Sequence, residues 1–467
     1  MLFQKRLISL FILVVFTASR FLVLVGSADL YDFEETRMGL FAKELLSGPV
    51  IPYTALATSH EAHQLGELLN GVFIAVFYAI FDEKGAVLKL LWFFLSLATF
   101  LVFFLISRRF FGFKTALFAS SLFILSPPFF TWSNLTDAGA ESGALLLIML
   151  MTFFSLKALP FKEGDPLPPL FYGFLLGLSA LYSHYCFIIL PVFVIYQLWL
   201  NPSFFKKKEA LFLFFSFFAG LAPFFLINAL YDMDSFKYIW GGLNTAAFHP
   251  NGLIGAMIAV PHSLCFGDIW MLRGELLNYV YCGISVSVFL LFIFSGRREK
   301  NKVLFNTLQP QAAFIMFFFA LYILAFVFFD SGKINPDSEA PRLYRHLVAA
   351  YPFLFIMLAF FINGIIEKGS AGLRRAGYLS LSALCLLGLF GNTSMVDLER
   401  NNFKLAAAYP PYSLTWLPYR IYAFAERHGG ITECLIDEIE KIRAAAGTGF
   451  LRGGGDRKGV QAGTFFT

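Results

Sequence analysis

The sequence predicts an all-α polytopic membrane protein. Hydrophobic residues make up 58% of the 467 positions and charged residues only 14%, where a soluble protein carries about 25% charged. Apolar runs near the roughly 20 residues needed to cross a bilayer recur along the chain, and the mean hydropathy is +0.68. The formal charge of +5 is broken into short basic clusters between the runs. That pattern orients a protein in a bilayer and argues against a nucleic-acid partner.

The first run, 7–26, follows Lys5 and Arg6 as a signal peptide would, and Gly26-Ser27-Ala28 resembles a cleavage site. Arg20 interrupts the run and many spans follow it, so an uncleaved signal-anchor is expected. Further spans are expected near 86–106, 115–131, 142–159, 169–183, 185–200, 210–230, 278–295, 311–329, 346–366 and 376–391, about eleven in all. The two short ones meeting at Ser183-His184 can form a bent pair. Lys5/Arg6, Arg108/Arg109/Lys114, Lys157/Lys162, Lys206 to Lys208, Arg297/Arg298/Lys300/Lys302 and Lys368/Arg374/Arg375 then share one side. Basic loops are cytoplasmic, which places the N-terminus inside. The agreement holds only if 66–81 does not cross. That segment, about 16 residues and marginal for a span, is read as a re-entrant or membrane-lying piece of the first outer loop. Irregular chain at such depth must be buried in protein or line a cavity.

The expected organisation is a transmembrane domain over 1–391, with a long first outer loop at 27–85 and another at 231–277. A small extracytoplasmic tail follows at 392–446, with a short helix at 431–446, and a Gly-rich disordered end at 447–467. Cys186, Cys265, Cys282, Cys385 and Cys434 are scattered without a CxxC pair, so small buried residues are expected rather than disulfides or zinc ligands. Sequons at Asn134 and Asn392 fall on the outer face in this topology.

Acidic and basic clusters on the outer face are the candidate chemistry. In 29–48, Met38, Phe41, Ala42 and Leu45 recur at helical spacing, which predicts a short amphipathic helix lying in the membrane interface. Asp32 is placed to cap it and Glu35 to complete a capping box. Glu34 has no such duty; it can pair with Arg37, or accept a proton as a carboxylate held ionised at a helix start. A second cluster pairs Asp137 and Glu141 at i,i+4, where two like charges invite a cation, a metal or a substrate amine; either acid can also simply start the next helix. Glu67 opens the apolar 66–81 segment, and a carboxylate there is costly unless it faces a cavity or partner. His60 and His63 beside Glu61 have i,i+3 spacing and no third ligand nearby, which argues against zinc. A fourth cluster runs from Lys333 to His346. Arg342, Arg345 and His346 share one side of a helix start, where cations oppose the macrodipole and call for an anion, and an arginine fork suits phosphate. Headgroup anchoring, or pairing with Asp337 and Glu339, is the alternative. Arg20 is expected to snorkel to the outer surface, with pairing to an outer-loop acid as the alternative. His249 and His262 are further candidates for acceptor contacts.

Glu34-Glu35-Thr36-Arg37 followed by Ala42-Lys43-Glu44-Leu45-Leu46-Ser47-Gly48 resembles the first-loop signature of the GT-C glycosyltransferases. The dolichyl-phosphate-mannose protein mannosyltransferases and the bacterial lipid A aminoarabinose transferase, a family 39-like group, are most similar in pattern. The resemblance continues through 66–81, the Arg108-Arg109-Phe110-Phe111-Gly112 turn and Ser126-Pro127-Pro128. It covers roughly 1–200 and recurs weakly at Arg345 to Pro352. It implies about 11–13 spans, a polyprenyl-phosphate sugar donor and inverting transfer. The family's catalytic Asp falls on Glu34, one methylene longer, with Asp32 as the fallback. Asp137 and Glu141 match the second-loop acid, Glu67 matches an acid that in some members helps hold a metal, and Arg342 and Arg345 match the phosphate grip.

The reading is therefore a multi-pass glycosyltransferase, expected in a bacterial inner membrane with its site on the periplasmic face. Its expected partners are the bilayer, a polyprenyl-phosphate sugar, and a glycan, lipid or protein acceptor. The catalytic candidates are Glu34, Asp32 and Asp137; the substrate-binding candidates are Glu35, Arg37, Glu67, Glu141, Lys333, Arg342, Arg345 and His346. Glu67, Asp137 and Glu141 are the candidates for a divalent metal, and no organic cofactor is expected. The alternatives are a non-enzymatic flippase or transporter of lipid-linked saccharide, which would need polar residues along a mid-membrane path, and a degenerate partner subunit.

Overall fold

In the computed structural model every apolar run folds as helix. The structure describes residues 2–26, 33–47, 65–81, 85–135, 141–158, 165–230, 275–298, 310–330 and 347–408. By backbone contacts residues Met1–Leu405 form one unit; nearly all of the second, Ala406–Thr467, lies outside the described residues.

Helix α1 is Leu2–Gly26, α2 Phe33–Ser47, α3 Leu65–Phe81 and α4 Gly85–Phe111. Gly112 alone separates α4 from α5, Phe113–Ile124. It sits at φ 89°, a conformation that glycine adopts without the Cβ clash, which explains the glycine ending the Arg-Arg-Phe-Phe-Gly turn. The expected span at 115–131 is broken. Helix α5 stops at Ile124, Pro127 is extended at φ −51° and ψ 145°, and a short α6, Pro128–Ser133, follows. Proline disfavours helical conformation in the residue before it, and two in succession end the helix.

Helix α7 is Glu141–Ala158 and α8 Leu167–Tyr182. The bend expected at Ser183 is present: Ser183 is extended, a 3-10 turn covers His184–Ile188, and α9 is Ile189–Leu200. Then come α10, Lys208–Leu230; α11, Glu275–Arg298; α12, Pro310–Asp330; α13, Tyr351–Lys368, entered through a 3-10 turn at 347–350; and α14, Ala371–Ala408, which runs on past residue 391. Among the described residues, five helices are long and apolar enough to cross a membrane, and shorter apolar helices pack beside them. The molecule is an integral membrane protein.

Packing follows the rules of a lipid environment, where close approach replaces the hydrophobic drive. Helices α8 and α10 touch backbone to backbone. A Cβ on Gly177 would lie 2.0 Å from the Phe217 carbonyl oxygen, one on Gly220 2.2 Å from that of Phe174, and one on Gly173 2.1 Å from Ser216 Oγ. The interior is largely phenylalanine. Phe123 is fully buried and meets the rings of Phe16, Phe100, Phe103, Phe130 and Phe355. Phe16 stacks on Phe100 at 4.1 Å. The outward faces of α1 and α14 carry exposed Phe and Leu side chains, as lipid-facing helices should.

Several basic segments meet at one end of the bundle. Lys5 and Arg108 both lie over the Phe113 ring, at 5.8 and 5.9 Å. Lys114 bridges Glu367 at 3.1 Å, next in sequence to Lys368. These positions join the start of α1, the α4–α5 turn and the end of α13, all assigned to the same side from charge alone.

Two expectations are corrected. Arg20 does not snorkel, and no acid among the described residues pairs with it; it is 1% exposed and hydrogen-bonded inside the bundle, because polar groups at the α5–α6 break meet its guanidinium there. Asn134 is not a surface residue: its side chain is fully buried and its amide nitrogen donates to Ser96 Oγ at 2.8 Å, which leaves it closed to glycosylation. Asn392 lies on α14, part-buried, and donates to the carbonyls of Ser126 and Gly388, each at 2.7 Å. Cys186 is buried, and Cys282 and Cys385 are part-buried.

Candidate functional site

The end of the bundle opposite the basic cluster is built around the first turn of α7. Ser142 Oγ donates to the Ser133 carbonyl at 3.1 Å, tying the end of α6 to α7 across the 136–140 connection. One residue on, Gly143 has no side chain because the Tyr182 hydroxyl occupies the space; a Cβ there would stand 1.8 Å from that oxygen. The hydroxyl continues past Gly143 and donates to Asn70 Oδ1 on α3. The Cys186 thiol approaches the Ala144 carbonyl at 3.8 Å. The ends of α6 and α8, the start of α7 and the first half of α3 thus converge on residues 141–144.

Helices α3 and α4, joined by three residues, form a hairpin rising from this floor. Asn70 is eleven residues before the end of α3 at Phe81, and Ser96, which holds Asn134, is eleven residues after the start of α4 at Gly85. At about 1.5 Å per residue the hairpin stands roughly 16 Å above the floor. Helix α3 is continuous over Leu65–Phe81. Helix α2 packs against it. Met38, Phe41 and Ala42 are buried and Leu45 half-buried, the stripe read from the sequence. The stripe faces protein rather than lipid, though: the Phe41 ring fills the space a Cβ on Gly71 would need, 2.0 Å away.

Beneath the floor lies Arg20. Its guanidinium donates to the Phe123 carbonyl at 2.8 Å, to Thr131 Oγ1 at 3.1 Å and to Ser126 Oγ at 3.2 Å. The two hydroxyls also meet each other at 2.9 Å. All three acceptors flank the Pro127-Pro128 break. From the other side, Gly388 lets α14 approach so closely that a Cβ would lie 1.8 Å from the Leu125 carbonyl, and Asn392 takes the Ser126 carbonyl. The break that launches α6, and with it the segment carrying Asp137, is clamped from both sides.

The backbone gathers some of the candidate residues and leaves others outside the description. Glu34, Glu35 and Arg37 lie in the first turns of α2, which starts immediately after Asp32. Glu67 is on α3, one turn before Asn70, and Glu141 opens α7 two residues before Gly143. The Tyr182 hydroxyl links these two helices, so the backbone positions of Glu67 and Glu141 flank one point. Asp32, Asp137, Lys333, Arg342, Arg345 and His346 lie outside the described residues, as do Asp337, Glu339, His60, His63, His249 and His262. The chain rejoins the description at Leu347, directly after His346; Tyr351 and Phe355 then pack on Phe130 of α6. Among the described residues no three His, Cys, Asp or Glu side chains gather as a metal site.

Sequence reasoning missed several polar residues inside the apolar runs. Asn70, Lys89, Trp92, Ser96 and Ser133 are all buried on the helices that form this end. The available signal was their cost: a polar side chain within a membrane helix is expensive and is retained for a partner.

Residues 68–227 match the family model described as dolichyl-phosphate-mannose-protein mannosyltransferase, so the match runs from α3 through α10 and includes the whole floor. No curated protein sequence matches the chain significantly. Among solved structures, ArnT from Cupriavidus metallidurans bound to undecaprenyl phosphate is similar with a TM-score of 0.52 and 14% identity, over 84% of this chain and 78% of that one. The apo state of the same protein gives 0.48 and 12%, over 82% and 76%. The Archaeoglobus fulgidus oligosaccharyltransferase complex with Zn and sulfate gives 0.43 and 14%, over 70% and 44%. The GT-C resemblance read from the first loop thus meets a family match over 68–227 and a shared fold with ArnT.

Proposed function

We propose that the chain is an inverting glycosyltransferase that moves a sugar from a polyprenyl-phosphate donor to a glycan, lipid or protein acceptor at the extracytoplasmic face of its membrane. The observation that carries this reading is the mannosyltransferase family match over 68–227, which coincides with the helices that converge on the α7 floor. The ArnT structure was solved with undecaprenyl phosphate, a ligand of the proposed donor type.

In this reading the acceptor hydroxyl attacks the anomeric carbon from the side opposite the phosphate. The new carbon–oxygen bond forms as the bond to phosphate oxygen breaks. The acceptor proton passes to a carboxylate, and polyprenyl phosphate leaves with the bonding pair. Glu34, in the first turn of α2, is the proposed base, with Asp32 as the fallback; a helix start favours the ionised carboxylate that this role requires. Glu35 and Arg37 flank it. Asp137, Glu141 and Glu67 would bind the acceptor or a divalent cation, whose charge would offset that of the departing phosphate. The positions of Glu67 and Glu141 on linked helices suit a shared ligand. Arg342 and Arg345, with Lys333 and His346, would grip the donor phosphate.

The test is transfer or donor hydrolysis by the purified protein in nanodiscs, supplied with radiolabelled polyprenyl-phosphate sugars. Release of polyprenyl phosphate that depends on protein and falls in Glu34→Gln supports the reading. Full activity in Glu34→Gln would reject Glu34 as base, and transmembrane movement of intact donor without cleavage would replace the enzyme with a transporter.

A further inference from the structure

Helices α1 and α4 are joined at two points. Inside the bundle Phe16 stacks on Phe100. At the basic end Lys5 and Arg108 both lie over the Phe113 ring, at 5.8 and 5.9 Å from its centre. Gly112, at φ 89°, makes the turn that brings this ring against the guanidinium. Each cation gains from the ring face, but each also repels the other. Both are half-buried, so solvent ions screen that repulsion less than at an exposed pair. Arg6 and Arg109, next to them in sequence, are exposed and add to the same field. None of the four has a carboxylate partner among the described residues, and Glu367 is taken by Lys114. The helix dipole accounts for Arg108 and Arg109, which end α4, but not for Lys5 and Arg6. These stand in the first turns of α1, where a cation is disfavoured.

Apolar surface leads to the same place. Leu101, Leu105 and Arg108 recur at i, i+4 and i+7 and so share one face of α4, and both leucines are exposed. On α1, Leu7, Phe11 and Val14 are exposed at the same spacing, beginning directly after Lys5 and Arg6. A free anion would use the charges and leave these faces bare. An uncharged chain would cover the faces and leave the cations unanswered. A molecule with a negative head and long apolar chains meets both. We infer that Lys5 and Arg108, backed by Phe113, hold the headgroup phosphate of an anionic phospholipid in the leaflet at the basic end, with its chains along α1 and α4. The phosphate accepts from a donor on each helix and pins the start of α1 to the α4–α5 turn. This site lies at the end of the bundle opposite the floor and does not depend on the glycosyltransferase reading.

The experiment titrates the delipidated full-length protein in detergent with phosphatidylglycerol or phosphatidylcholine, with and without inorganic phosphate, and counts bound lipid by native mass spectrometry. The wild type should hold one phosphatidylglycerol about tenfold or more tighter than phosphatidylcholine. Lys5→Gln and Arg108→Gln should each lower that preference about fivefold, and the double variant should lose it. Arg374→Gln with Arg375→Gln removes the same charge from the exposed start of α14, at the same end of the bundle, and should leave the preference in place. Equal losses in the two double variants would show a diffuse attraction to basic surface and overturn the site. A wild type without the preference would overturn it as well, and displacement of the lipid by an equal concentration of inorganic phosphate would replace it with a free-phosphate site. Should the Lys5/Arg108 double variant fail to fold, Lys5→Gln against Arg374→Gln decides the same question: an equal loss overturns the site, and a loss confined to Lys5→Gln supports it.

Discussion

Removing the acceptors around Arg20 should cost far more than removing Arg20 itself. The guanidinium makes three hydrogen bonds, to Phe123, Ser126 and Thr131. At about 1.5–3 kcal/mol for a bond to a charged group, they offset the several kcal/mol needed to desolvate a buried cation. Arg20→Met removes both terms and replaces the stem with apolar volume, so its net effect should stay within about 2 kcal/mol. Ser126→Ala with Thr131→Val leaves the charge in place with one acceptor, and should cost about 3–6 kcal/mol. In the Arg20→Met background the same pair of substitutions loses only the hydroxyl–hydroxyl bond, about 1 kcal/mol. The cycle therefore predicts a coupling of roughly 2–5 kcal/mol. Reversible unfolding in bicelles, measured for the four proteins, reads it directly. Equal costs in the two backgrounds, within about 0.5 kcal/mol, would show that the cation does not depend on these hydroxyls and would refute the clamp.

The other predictions concern packing and chemistry. Gly177→Val should force α8 and α10 apart and cost about 2–4 kcal/mol by losing close packing, seen as a lower melting temperature in detergent; an unchanged value would contradict the backbone contact. Gly143→Ala should expel the Tyr182 hydroxyl, and adding Tyr182→Phe should recover most of the lost stability, whereas a double variant no better than the single one would place the clash elsewhere. Glu34→Gln should lower kcat by about 10²–10⁴-fold with little change in donor KM, and Asp32→Asn should have the smaller effect; the reverse order would move the base to Asp32. Arg342→Ala and Arg345→Ala should raise donor KM by about tenfold or more each, and an effect confined to kcat would argue against a phosphate grip.

Much of the helical plan was legible because a bilayer imposes a length and a polarity on each crossing. The apolar runs at 7–26, 142–159, 169–183 and 210–230 carry that signal undiluted, and Ser183-His184 marked the bend. The break at Ser126-Pro127-Pro128 was passed over because the hydropathy of 115–131 is continuous across it, while the prolines act on the backbone and leave hydropathy high. The amphipathic stripe of α2 was legible as a stripe, but its target was not: a periodic face shows that something is buried and says nothing of whether lipid or α3 covers it. Arg20 was misread for a related reason. Sequence position suggested a short path to the surface, and only the fold brings the distant 123–131 segment against the guanidinium. The charged candidates Glu34, Glu67 and Glu141 were legible because acids stand out in an apolar chain. The neutral residues Asn70, Trp92, Ser96 and Ser133 were not, because such residues are common and only their burial distinguishes them.

The clamp beneath the floor also sets an electrostatic potential. An arginine keeps its proton, and no carboxylate among the described residues answers this one. Thr131, which it holds, is one turn from Asn134. A unit negative charge about 10 Å away at an effective dielectric near 20 gains about 1.7 kcal/mol from that cation. Salt does little to screen a source enclosed by protein. An anion resting above the floor is therefore attracted from below by a group it never touches, and the attraction should persist at ionic strengths that silence charges lying in solvent.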